Sequence, residues 1–179
     1  MEKSIRHALK ILSGVTIASL ALSQPLDGWA QQKRQSLKDR LVGSWSLVSN
    51  YQEYPDGTKT NIFGENQKGN VMFDRRGRFS FHIYNPDRPK FASNNRMEGT
   101  VEENKRAVQS AIAYYGTYSV NEKDSTLTYH IEYCTFPNWD GTDRTSSVTF
   151  KGDEFRQAST PIPSSKGTFV PHVVWKRIK

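Results

Sequence analysis

From residue 41 onward the chain is dominated by short runs of alternating apolar and polar side chains, cut by turn residues about every eight to twelve positions. Successive Cβ atoms of a strand point to opposite faces, so alternation at period two marks a strand with one buried face. Residues 79–84 (FSFHIY) are the clearest case: Phe79, Phe81 and Ile83 alternate with Ser80, His82 and Tyr84. Residues 41–54 form a longer candidate, with Trp45, Leu47 and Tyr51 on one face and Ser44, Ser46, Asn50 and Gln52 on the other. Further strands are expected at 60–63, 70–73, 116–120, 125–133, 144–150, 154–158 and 169–178. Pro55-Asp56-Gly57-Thr58 is a strong turn signal, with proline fixing one dihedral and glycine accepting a positive φ.

One stretch breaks this rhythm. In residues 100–113 (TVEENKRAVQSAIA), Thr100 and Glu103 have capping-box spacing, and Val101, Val108, Ala111 and Ile112 share one helical face. Such a helix is expected to lay its apolar face on the sheet, either across a barrel opening or along its side. The expected fold is mainly all-β and antiparallel, a sandwich or an up-and-down barrel of about eight to ten strands, with one inserted amphipathic helix. Closing the barrel would remove exposed sheet edges.

The first thirty residues read differently. Lys3, Arg6 and Lys10 precede an apolar run at 11–22, and Gly28-Trp29-Ala30 puts small residues at the minus-three and minus-one positions of a cut before Gln31. This is the layout of a cleavable signal peptide over residues 1–30, and it predicts an exported protein, periplasmic or secreted. The apolar run is shorter than the roughly 20 residues a membrane-spanning helix needs, and no later segment approaches that length. Residues 31–40 read as a basic, polar, solvated lead-in, and residues 41–179 as one domain.

The formal net charge is +7, a value that raises the question of nucleic acid. The basic residues are scattered, however, apart from the lead-in and Arg75-Arg76-Gly77-Arg78 at a hairpin tip, so no nucleic-acid partner is expected. Cys134 is the only cysteine; an intrachain disulfide is impossible, and a wall position in the core is its simplest role.

Five motifs occur in one order: Leu41-Val42-Gly43-Ser44-Trp45, Phe63-Gly64, Tyr115-Gly116-Thr117-Tyr118, His130-Ile131-Glu132 and Pro137-Asn138-Trp139-Asp140-Gly141-Thr142. Together they resemble the bacterial and fungal lipocalin-like domain family, from Leu41 to about Arg177. The resemblance implies a calycin-type barrel, in a fold that hosts carriers as well as isomerases and cyclases. It also implies that a basic residue of the last strand, Arg177, stacks on the indole of Trp45 at the closed end. The chain departs from classical secreted lipocalins in lacking a disulfide pair and in the helix that interrupts the strands.

The candidate chemistry centres on residues 114–142. His130 and Glu132 share a strand face about 7 Å apart. They form an acid–base pair if that face lines the lumen, and a polar surface stripe if it faces out. His82 and Tyr84 pose the same question. Tyr115, Tyr118 and Trp139 are candidate pocket-lining rings, with apolar faces and polar tips. No His-x-His or His-Glu-x-x-His spacing, Gly-x-Ser-x-Gly turn or phosphate-cradling glycine loop occurs, so neither a metal nor a cofactor is expected. The leading expectation is an exported barrel that binds a small, mainly hydrophobic molecule. The alternatives are an enzyme of the same fold working through His130, and a filled barrel serving as an interaction module. The sequence carries no signal for oligomeric state.

Overall fold

The computed structural model describes residues 35–179. The signal-peptide reading of residues 1–30 lies outside the described residues. A short helix, α1 (Leu37–Leu41), leads into β1 (Gly43–Glu53), the two-residue β2 (Lys59–Thr60), β3 (Lys68–Phe73) and β4 (Arg78–Tyr84). After a polar loop come α2 (Val101–Gln109), β5 (Ala111–Asn121) and β6 (Thr126–Cys134). A helical turn, Pro137–Trp139, then precedes β7 (Asp143–Lys151), β8 (Glu154–Ser159) and β9 (Val170–Arg177). Strand order is β1-β3-β4-β5-β6-β7-β8-β9, and β9 pairs back onto β1, so eight antiparallel strands close a barrel. The small β2 only extends the far end of β1, pairing Thr60 with Gln52.

One end of the barrel is sealed. Arg177 lies over the Trp45 ring at 4.1 Å and donates hydrogen bonds to the carbonyl oxygens of Val42 and Arg40. The Trp45 indole N–H donates to the Leu41 carbonyl at 2.8 Å. Gly43 has φ of +127°, and a Cβ there would stand 2.8 Å from the Arg177 guanidinium, which explains the glycine of Gly-Ser-Trp. Inside, Trp45 meets Phe155 edge-on at 4.7 Å, and Phe73 meets Tyr118 at 5.0 Å.

Four expectations need correction. The lead-in is not wholly solvated: α1 plugs the sealed end, with Leu41 fully buried and Arg40 over the Phe150 ring at 3.8 Å. Glu122 accepts hydrogen bonds from the free N–H groups of Leu37 and Lys38, tying the plug to the β5–β6 turn. Of the strand expected at 60–63, only Thr60 pairs; Asn61 to Gly64 make a turn instead. In β1, a bulge between Leu47 and Ser49 shifts the phase, so Trp45, Leu47, Asn50 and Gln52 share the inner side while Tyr51 stacks outside on His172.

The helix is the fourth. Its capping box forms as read: Thr100 Oγ1 accepts from the Glu103 N–H and Glu103 from the Thr100 N–H. It stops at Gln109, however, and Ala111 and Ile112 belong to β5. With those two apolar residues removed, the remaining stripe is not covered: Val101 is 87% and Val108 68% exposed. The helix borders the open end, one of the two expected placements, but its apolar stripe stays exposed instead of packing on the sheet. No helix among the described residues is long and apolar enough to cross a membrane.

Candidate functional site

Opposite the sealed end the barrel holds a cavity of about 440 Å³. The strands supply its walls through their inward phases: Phe81 and Ile83 from β4, Ile112 and Tyr114 from β5, Tyr129 from β6, Arg144 from β7, Gln157 from β8 and Val173 from β9. Ile62, Val108 and Phe136, all substantially exposed, border the mouth.

The aromatic side is ordered. Tyr114 stacks on Phe81 at 4.4 Å, and Trp139 stands nearly perpendicular to both Tyr114 and Phe136, at 5.9 and 6.0 Å. Trp139 is held by its own motif. The Pro137–Trp139 turn ends as Thr142 Oγ1 donates to the Trp139 carbonyl at 2.7 Å, Gly141 N–H donates to Ile131 and Asp140 accepts from the Cys134 N–H. Pro-Asn-Trp-Asp-Gly-Thr is thus the clamp that sets an indole at the wall of the cavity.

Polar groups are few and mostly satisfied. The Tyr129 hydroxyl donates to Gln157 Oε1 at 2.9 Å, and Asn50 and Gln67 bond each other twice. Burial pushes both the Tyr114 and Tyr129 hydroxyls well above the ordinary tyrosine range, so both stay protonated at neutral pH. Arg144 lies over the Trp139 ring at 4.3 Å, and its Nε is buried with no hydrogen-bond partner.

Of the residues singled out in the sequence, Trp139 lines the cavity. Tyr118 does not: it belongs to the packed end, where its hydroxyl donates to the Asp74 carbonyl and burial raises its pKa to about 12. Tyr115 points outward beside Tyr133, and Tyr84 lies on the outer wall beneath Arg88. His82 also faces out, bonded to Asn70 at 2.9 Å. Of the two facings open to His130 and Glu132, the outward one holds, so they form no acid–base pair in the lumen. Leu127, Tyr129 and Ile131 take the inner phase of β6, which leaves His130 outside between Asp143 and Ser119, at 2.8 Å from each. Glu132 is the extra residue of a bulge and forms a two-pronged ion pair with Arg78. Gly116 faces this bulge because a Cβ there would lie 2.0 Å from the His130 carbonyl oxygen.

The Cys134 thiol accepts a hydrogen bond from the Phe136 N–H, and partial burial raises its pKa, opposite to what a nucleophile needs. No group of three metal-ligating side chains occurs among the described residues. Residues missed in the sequence are Phe81, Gln157 and Arg144. The alternation Arg144, Ser146, Val148, Phe150 held the signal for the last: a charged residue on an otherwise inward phase.

The sequence profile of a family described as a lipocalin-like domain matches residues 42–178. A curated relative from Aspergillus oryzae, a 4'-hydroxy-3'-methoxypropiophenone carrier protein, is 30% identical over 80 residues, which span 41% of this chain and 72% of the relative. Among solved structures, a lipocalin-like protein from Bacteroides uniformis is 16% identical with a TM-score of 0.41, over 78% of this chain and 99% of that one. A zebrafish ileal bile acid-binding protein complexed with cholic acid is 15% identical with a TM-score of 0.37, over 78% of this chain and 99% of its own. These structural likenesses are weak, and the barrel stands on its strand pairing.

Proposed function

From the premise that the chain belongs to the lipocalin-like domain family, we propose that it is a carrier holding one small, mainly apolar, ring-bearing molecule in the open half of the barrel. The observation that carries this reading is the cavity of about 440 Å³ walled by Phe81, Tyr114, Tyr129 and Trp139. That volume falls within the ~300–1,000 Å³ range of small-molecule sites, and the wall has their usual chemistry: apolar rings with a few placed polar groups. The name of the Aspergillus oryzae relative supports it, since that carrier's cargo is a small substituted phenyl ketone. Export is part of the proposal and rests on residues 1–30 of the sequence, which have the layout of a signal peptide. A periplasmic or secreted carrier would move or sequester a poorly soluble molecule.

Native mass spectrometry with N-phenyl-1-naphthylamine, a neutral apolar fluorophore, tests the carrier reading. The expected result is a one-to-one complex with a rise in probe fluorescence, weakened about tenfold or more by Trp139→Ala. A protein that takes up no such probe contradicts it.

One observation favours a second reading. On the outer wall, Ser119, His130 and Asp143 stand in the order of a nucleophile–base–carboxylate relay, with 2.8 Å between successive partners. An enzyme would then act there and not in the lumen. It would hydrolyse an activated ester such as p-nitrophenyl acetate and lose that rate in both Ser119→Ala and His130→Ala; a rate indifferent to both substitutions sinks it.

A further inference from the structure

We propose that the cavity selects a monoanion: an apolar, ring-bearing carboxylic acid whose carboxylate pairs with Arg144. This rests on the carrier reading and adds to it the chemistry of the cargo's head group.

Among the described residues, Arg144 is the only charged one on the cavity wall. It projects from β7 on the inward phase and pairs in register with Tyr129 of β6. Its Nε is buried without a hydrogen-bond partner, and no ion pair among the described residues includes it. The guanidinium carbon stands over the Trp139 ring, 4.3 Å from its centroid. A cation–π contact forms no hydrogen bond, so it leaves the guanidinium N–H donors unspent. Arg144 as a whole is half-buried, and among the described residues no side chain pairs its charge or bonds its buried Nε, which leaves the guanidinium available to a ligand.

The neighbouring polar groups point the same way. Gln157 has its carbonyl oxygen taken by the Tyr129 hydroxyl, which leaves its amide N–H groups as the free function. Tyr114, which meets Trp139 nearly perpendicular at 5.9 Å, keeps its proton because burial disfavours the phenolate. Gln157 and Tyr114 thus add donors to those of Arg144, and the complement of that donor set is a group that only accepts. A carboxylate is such a group, and its two oxygens match the planar fork of arginine. One guanidinium offsets one negative charge. A phosphate monoester would leave its second charge unpaired among aromatic walls, so the cation count favours the singly charged acid.

The test uses 2-naphthoate, its uncharged methyl ester and 2-naphthyl phosphate, titrated calorimetrically into the purified protein at pH 7. The wild type is expected to bind the acid at least tenfold more tightly than the ester, and the phosphate more weakly than the acid. Arg144→Met is expected to lose the preference for the acid while still binding the ester, which also reports that the variant is folded. Arg144→Lys keeps the charge without the fork and is expected to fall between. Equal affinity for acid and ester in the wild type overturns the inference and leaves the carrier standing, whatever the variants do. So does an acid preference that survives Arg144→Met. A phosphate that binds as tightly as the acid overturns the choice of a monoanion. If the wild type binds neither naphthoate nor ester, the carrier reading fails and takes this inference with it.

Discussion

The two halves of this barrel are built from the same strands and the same aromatic residue types, yet one is solid and the other hollow. At the sealed end, Phe155 meets Trp45, Phe73 and Trp175, and α1 with Leu41 closes the floor. At the open end, Phe81, Tyr114 and Trp139 lie against the wall and one another, leaving about 440 Å³ between the sides. The difference lies in what opposes the rings. Below, every ring meets another ring or the plug. Above, the bulge in β1 brings Asn50 and Gln52 to the inner side in place of large apolar residues, and α2 borders the mouth without filling it. An aromatic-rich barrel is therefore filled or hollow according to strand phase and end closure, not ring count.

The largest expected effect tests the solid half. Trp45→Ala removes a fully buried indole, its hydrogen bond to Leu41 and the platform for Arg177. A loss of about 3–5 kcal/mol is expected in denaturant unfolding, in line with large-to-small core substitutions. Probe affinity of the molecules that remain folded should hardly change, and a selective loss of binding at undiminished stability would break the division between the halves. Tyr129→Phe, at the boundary, should cost about 1 kcal/mol, because it removes one buried hydrogen bond and strands the Gln157 oxygen.

The smallest effect concerns α2 at the mouth. The Glu103 carboxyl is held below the usual carboxylate range by hydrogen bonds from the Ala92 and Thr100 N–H groups. A depressed pKa means that its contribution to the helix is complete above the ordinary glutamate value and is lost as pH falls through the lowered one. Amide exchange in α2 should therefore speed up at acid pH, relative to that of β1 and β9, and Thr100→Ala should give a similar acceleration at neutral pH. Equal protection of α2 and β9 under all these conditions would show the mouth to be as rigid as the barrel.

Much of this was legible in the sequence. The alternation in FSFHIY reported β4 directly, though not which face turns inward, and Thr100 with Glu103 reported the start of α2. The Gly-Ser-Trp and Arg177 pairing followed from the family resemblance, and the structure contains it. What escaped has one physical cause in several places. A bulge adds one residue and inverts the faces beyond it, so Asn50 and Gln52 came inside against the simple alternation of β1. On β6 the strand's facing, which alternation alone leaves open, put His130 and Glu132 outside. The apolar helical stripe misled because Ala111 and Ile112, needed to complete it, satisfy strand pairing with Tyr84 and Ile83 instead. Arg144 was passed over because a lone arginine in a strand reads as surface until its register is known.

On the carrier proposal, cargo enters the open half of the barrel and stops short of the sealed one. The most direct measurement is a two-dimensional ¹H–¹⁵N spectrum of the indole N–H groups during titration with N-phenyl-1-naphthylamine, assigned with Trp139→Phe and Trp45→Phe. The Trp139 resonance should move saturably with probe concentration while that of Trp45, bonded to the Leu41 carbonyl beneath the packed rings, stays in place. Equal movement of both resonances, or movement of Trp45 alone, would contradict the account.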